Sequence, residues 1–207
     1  MFKLYDISTA IRPDMQVWKD NAAVRPTFEN TSNHQTGQTY GTRIGIDAHT
    51  GTHLDAPLHM LDGGATIDTI PLQDLVGTAR VLDLTRVVDA VTAEDLKPHA
   101  IQPGEWILLK TRNSFTDRWD DGFVFLRADG AAYLAELGIK GVGTDALGIE
   151  RSQEGYPTHR TLMRAGVLIL EGLRLADVPP GSYFFVLAPL KLEGIEAAPA
   201  RAFLLGS

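Results

Sequence analysis

The sequence predicts a single α/β domain built on a mixed sheet, and three observations carry that prediction. A chain of 207 residues, 44% of them hydrophobic, suffices for one sizeable core. No Pro/Gly/Ser-rich linker, internal repeat or low-complexity tract divides residues 1–207, so one domain is expected. Short β-type runs recur along the chain with helical stretches between them, the pattern of α/β folds. Because several β-type runs cluster early, a mixed sheet fits better than a purely parallel one.

Taken in chain order, residues 38–48 alternate, with Ile44, Ile46 and Ala48 on one face and Arg43, Asp47 and His49 on the other. That period of two predicts a half-buried strand. Further strands are predicted over 79–85, 106–110, 139–144, 167–170, 183–188 and 201–205. Thr92-Ala93-Glu94-Asp95 reads as a capped start for a short helix that Pro98 stops. Residues 130–137 have helical spacing, with Gly138 as the C-cap. Pro157-Thr158-His159 opens a third helix, which Gly166 ends.

Composition narrows the chemistry. With no cysteine, disulfides, a thiol nucleophile, Fe–S clusters and thiolate zinc sites are all excluded. A transition metal would have to be held by histidine and carboxylate. The formal charge of −7 argues against a nucleic-acid or anionic-membrane partner, since neither would meet a basic face. The longest apolar run, 183–190, is too short to span a bilayer. Residues 1–6 carry no apolar h-region, so no signal peptide is expected, and the expected location is the cytoplasm.

Three of the six histidines fall within eleven residues, His49-Thr50-Gly51-Thr52-His53-Leu54-Asp55-Ala56-Pro57-Leu58-His59. Positions 49, 53, 55 and 59 are all odd, so an extended chain would send their side chains to one face. Full extension would separate 49 from 53 by roughly 13 Å, too far to share an ion. Gly51, two threonines and Pro57 are poor helix material. A turn at Thr50-Gly51-Thr52 is therefore expected, folding His53 and Asp55 back onto His49. Pro57 biases Ala56 toward an extended shape and aims His59 separately. Two imidazoles and a carboxylate suit Zn²⁺, Mn²⁺ or Fe²⁺ and would leave a coordination position open for water. The bland alternative is a set of solvated loop histidines.

His159 and Glu171 form a second candidate pair. A helix over 159–165 would advance about 9 Å. After a reversal at Gly166, four residues of returning strand would cover about 13 Å. Glu171 could thus come back toward His159, where a metal or a charged imidazole would compensate its burial. Otherwise the two are a surface glutamate and a helix N-terminal histidine. Arg43 could meet a substrate carboxylate, though solvent is the commoner place for a strand arginine. His34 and His99 read as surface residues, and Glu94-Asp95 and Glu150-Arg151 as solvated charges.

The segment 49–59 resembles the H-x-G-T-H-x-D-x-P-x-H signature of the cyclase family of metal-dependent hydrolases, which includes bacterial kynurenine formamidases (arylformamidases) and isatin hydrolases. The resemblance extends along the chain through Tyr5-Asp6-Ile7-Ser8, Val17-Trp18, Gly143-Thr144-Asp145, the stretch 159–171, Leu187-Ala188-Pro189-Leu190 and Pro199-Ala200-Arg201-Ala202. It implies a swivelling β/β/α domain, with a mixed sheet flanked by helices, that assembles into dimers or tetramers. It implies that His49, His53 and Asp55 bind one metal and that Asp55 bridges to a second held with His159 and Glu171. It also makes His59 the acid–base residue and places Trp18 in the substrate pocket. One departure bears on substrate: Arg160 stands where the true kynurenine formamidases carry a second histidine.

Three functions follow as expectations. The first is hydrolysis of an aryl formamide such as N-formylkynurenine, in tryptophan catabolism, with zinc or manganese and two ions per subunit. The second is opening of a cyclic amide such as isatin, or action on another small carbonyl compound. The third is a metal-stabilised binding protein without turnover.

Overall fold

The apolar runs of the sequence become strands of one large sheet in a computed structural model that describes residues 3–206. Met1 and Phe2, the start of the segment read for a signal peptide, lie outside the described residues. The strands are β1 (Lys3–Asp6), β2 (Thr27–Ser32), β3 (Gly41–Gly45), β4 (His53–Asp55), β5 (Val76–Asp83) and β6 (Ala90–Val91), followed by β7 (Trp106–Lys110), β8 (Phe125–Leu126), β9 (Gly141–Thr144), β10 (Leu168–Glu171), β11 (Gly181–Pro189) and β12 (Ala197–Gly206). The α-helices among the described residues are α1 (Ala93–Leu96), α2 (Ala128–Glu136) and α3 (Pro157–Arg164).

β5, β7, β9 and β10 lie side by side in parallel. β4 continues antiparallel to β10 and also pairs with β12; β12 pairs with β11, and β11 returns antiparallel to β5. Seven strands thereby close into a barrel-like ring, and β1 adds along β12. The α/β class and mixed sheet expected from the sequence are both present.

Closure explains the composition of the central strands. Every residue of β7 is buried, as a strand covered on both faces must be. Its side chains alternate between two cores. Trp106 and Leu108 point to one that includes Leu54, Leu170 and Phe185. Ile107 and Leu109 point to another that includes Leu134, Leu162 and Ile169. Helix α2 packs on α1 and α3, and α3 also contacts β10.

The local signals mostly hold. Thr92 Oγ1 accepts from the Asp95 amide while the Asp95 carboxylate takes the Thr92 N–H at 2.8 Å, a complete capping box. Pro98 ends the α-helix but not the turning chain, which continues as a 3-10 turn over Lys97–His99. One expectation fails. The alternating segment 38–48 forms a strand only over Gly41–Gly45, pairs among the described residues with β2 alone, and is not half-buried: Ile44 is 59% exposed. Alternation requires two unlike faces, but it does not specify that the chain itself will cover the apolar one.

Candidate metal centre

The ring brings the proposed ligands together through strand register. Asp55 and His53 lie two apart on β4 and therefore face the same way. His53 stands opposite Glu171 on β10 and Pro199 on β12. His49 reaches them through the turn at residues 50–52, where Gly51 has φ +65°. Gly172, with φ +72°, packs against that turn so closely that a Cβ there would sit 2.2 Å from the Gly51 carbonyl oxygen. Thr9 and Thr52 hydroxyls both donate to the Gly172 carbonyl, at 2.7 and 2.6 Å, and lock the contact.

His159 lies in the first turn of α3, and the chain reverses at Gly166 to carry Glu171 back to it, Nε2 to Oε1 at 3.5 Å. Ala56 is extended (φ −96°, ψ 157°) before Pro57, and a 3-10 turn over Pro57–His59 then sets the His59 ring 4.4 Å from that of His49.

Six side chains thus converge: His49, His53, Asp55, His59, His159 and Glu171. Asp55 is the hub. Its Oδ1 lies 3.1 Å from His49 Nδ1 and 3.5 Å from His53 Nε2, and its Oδ2 lies 4.0 Å from His159 Nε2. His53 Nε2 is 3.2 Å from Glu171 Oε2. Two overlapping groups have cation-binding spacing, His49–Asp55–His59 and His53–Asp55–Glu171, with Asp55 common to both. His59 therefore falls among the possible ligands as well as beside them.

The donor set fits a divalent metal. His53 Nε2 and both Asp55 oxygens are buried and make no aligned hydrogen bond, although their neighbours stand close. Buried polar atoms left so are costly unless a cation satisfies them. The charge balance points the same way. Burial opposes the charged form of His53, yet the Glu171 and Asp55 carboxylates push it up to about 9. For His159, burial is likewise outweighed by Glu150 and Glu171, and it rises to about 10. Burial would raise Glu171, but the facing imidazoles hold it well below the usual carboxylate range. A cluster this anionic draws protons when no metal is bound and releases them to one.

Glu150 is the residue that sequence reasoning misplaced. It is buried rather than solvated, and its carboxylate accepts from His159 Nδ1 (2.7 Å), His159 N (3.0 Å), Thr158 N (3.1 Å) and Gln153 Nε2 (2.7 Å). A signal was present in α3. Its N-cap position is Tyr156, which offers no side-chain cap, so the first amides of the helix need an acceptor from elsewhere. Arg151 is not free in solvent either. It pairs with Asp89, donates to the Phe123 carbonyl and lies 4.9 Å over the Phe125 ring. Upstream, buried Asp145 anchors this loop by accepting from Thr111 and Ser114.

Beside the centre opens a cavity of about 360 Å³ lined in part by Val17, Trp18, Met60 and Tyr156. Trp18 is half-exposed and packs edge-on against Trp119 and Phe123, with centroids 4.9 and 5.8 Å away. Arg43 is exposed and paired with Glu29, away from this lining. His34 is exposed and belongs to neither cation group. His99, half-buried, likewise stands outside both.

A barrel-like mixed sheet carrying a buried His/carboxylate cluster beside an apolar cavity defines an α/β protein with a divalent-metal centre. Comparison with known proteins makes the family specific. The family model described as Cyclase matches residues 5–151, and the chain belongs to that family. The kynurenine formamidase of Salinibacter ruber is 36% identical over 97% of this chain and 96% of its own length. That of Maricaulis maris is 34% identical over 99% and 98%. A solved structure described as a predicted metal-dependent hydrolase from Bacillus stearothermophilus is 52% identical, with a TM-score of 0.92 over 99% of this chain and 98% of that one. Isatin hydrolase A from Labrenzia aggregata is 25% identical, with a TM-score of 0.86 over 99% and 93%.

Proposed function

We propose that this protein is a metal-dependent hydrolase of a non-peptide C–N bond, an arylformamidase that converts N-formylkynurenine to kynurenine and formate in tryptophan catabolism. The observation that carries this reading is Asp55, buried among imidazoles with neither oxygen in an aligned hydrogen bond, next to His49, His159 and Glu171, which line the same cavity as Trp18. The full-length similarity to kynurenine formamidases supports the substrate. His49, His53 and Asp55 would hold one zinc or manganese ion, and Asp55 would share a second with His159 and Glu171. A bound divalent ion supplies Lewis acidity, polarising a carbonyl and lowering the pKa of water toward roughly 7.

The chain supplies the rest. Trp18, Met60 and Tyr156 offer an apolar wall to the aryl ring. His59 is the acid–base residue. Neither of its ring nitrogens makes a hydrogen bond among the described residues, so no neighbour fixes its proton. Burial, with His49 and His159 nearby, keeps it below its ordinary pKa, hence neutral and able to accept a proton at pH 7. It takes the proton of the attacking water and returns it to the departing amine nitrogen as the C–N bond breaks.

A second reading has its own support. Among the described residues lining the cavity none is Lys or Arg, so apart from the metal centre itself the lining offers no cationic side chain to pair with an amino-acid carboxylate. A neutral cyclic amide such as isatin suits such a wall. Elemental analysis followed by a panel of N-formylkynurenine, isatin and simple lactams decides between them. Turnover of the formamide is expected; turnover confined to isatin or a lactam replaces the substrate assignment. Full metal loading without turnover would make this a metal-stabilised binding protein.

The proposed setting is the cytoplasm, and among the described residues no helix is long and apolar enough to cross a membrane. A homo-oligomer, dimer or tetramer, is also proposed, supported by the exposed apolar hairpin of β2 and β3.

A further inference from the structure

We infer that Glu150 is a positioning residue that decides which ring nitrogen His159 offers to the metal centre: the carboxylate ties down Nδ1–H and leaves Nε2 facing Asp55 and Glu171. The inference rests on the reading of His159 as a metal ligand, and not on any choice of substrate.

The geometry separates the two sides of the ring. Nδ1 is 2.7 Å from Glu150 Oε2, while Nε2 lies 3.5 Å from Glu171 Oε1 and 4.0 Å from Asp55 Oδ2. Glu150 cannot swing away easily, because Thr158 N, His159 N and Gln153 Nε2 also donate to it. The neighbouring Ile149 amide donates to Glu171 Oε1 at 2.6 Å, so one loop holds both Glu150 on one side of the His159 ring and Glu171 on the other. His53 repeats the arrangement with a backbone acceptor: Nδ1 meets the Gly51 carbonyl at 2.9 Å and Nε2 faces Glu171 and Asp55. His59 has no such tether. The chain thus fixes the tautomer of two histidines that face the buried carboxylates and leaves free the one that must exchange a proton.

The test uses the zinc-loaded protein, and reads zinc affinity by chelator competition together with ¹⁵N spectra of ¹⁵N-histidine-labelled samples. In the unsubstituted protein His159 should be protonated at Nδ1 and bound to zinc through Nε2. The opposite pattern, or a His159 without zinc, overturns the inference. Glu150→Ala should weaken zinc binding about 10- to 100-fold and scatter the His159 signature over both nitrogens. Glu150→Gln keeps an oxygen that can accept Nδ1–H, so the tautomer should survive with a smaller loss of affinity. A residue that merely capped α3 would lower Tm in both variants while leaving affinity within about twofold and the His159 signature unchanged, and that outcome also overturns the inference. If Glu150→Ala does not fold, the spectrum of the unsubstituted protein and the affinity of Glu150→Gln still decide. Neither readout uses a substrate, so a wrong substrate assignment leaves both intact.

Discussion

His49 and His59 are neighbours in space, with ring centroids 4.4 Å apart, yet their surroundings push them in opposite directions. Burial disfavours the charged form of both, but Asp55 outweighs it at His49 and raises that group, whereas His59 stays below its ordinary value. His59 is therefore the proposed base, and the acid limb of kcat/KM is expected below about pH 6.5, the ordinary histidine value. Replacing His59 with Ala should lower kcat about 10²- to 10⁴-fold with unchanged metal content and remove that limb. Undiminished turnover with full metal would assign the proton transfer elsewhere. Metal removal gives a second expectation. In the metal-free protein His53 and His159 are raised to about 9 and about 10, above their unfolded value near 6.5. Their contribution to stability is then fully present below about pH 6.5 and is lost as pH rises through 9 to 10. Thermal melts of the chelated protein from pH 6.5 to 10 should show a falling Tm; a flat or rising profile contradicts it. At this scale the sequence was legible where ligand types cluster in 49–59. Glu150 was not: the uncapped start of α3 called for an acceptor but did not say which one, because the partner amides lie eight and nine residues from Glu150 and the fold brings them together.

The elements that build the centre are held by backbone contacts no side chain can replace. Gly172 is the sharpest case: its φ of +72° costs a side-chain-bearing residue about 1–3 kcal/mol by itself. A Cβ would also lie 2.2 Å from the Gly51 oxygen, so the turn carrying His49 would have to move away from Glu171. Gly172→Ala should therefore lower Tm and metal content together, whereas Gly104→Ala, at a positive φ but with open space around it, should lower Tm alone. Equal metal retention in both would show that the Gly51–Gly172 contact does not set the site. Strands with strong local signals were legible: residues 106–110 match β7 end to end, since a buried apolar run states its own limits. β4 was not foreseen as a strand. Its three residues include two polar side chains, the proposed ligands His53 and Asp55, and its pairing comes wholly from β10 and β12, far along the chain. Such long-range pairings carry no local periodicity to read.

At the scale of the whole molecule, the ring is closed, and the hairpin of β2 and β3 stands outside it as a separate two-stranded sheet. A two-stranded sheet standing alone is marginally stable in water. Phe28 and Ile44 are direct cross-strand partners on it, 45% and 59% exposed. An apolar pair of this kind, on a hairpin lying in sequence between Trp18 and His49, needs a cover, and a second copy of the chain is the proposed one. The alternation that led the sequence reading to a half-buried strand would then be correct about chemistry and wrong only about which chain does the covering. Sedimentation velocity at micromolar concentration should show a dimer or larger assembly. Phe28→Asp with Ile44→Asp should shift it to monomer while circular dichroism shows the sheet retained. Because the hairpin feeds directly into both the Trp18 wall and the His49 turn, the monomer should also bind substrate more weakly, with KM rising more than kcat falls. A chain that sediments as a monomer before any substitution would remove the second copy as the cover and leave the exposed pair to another partner.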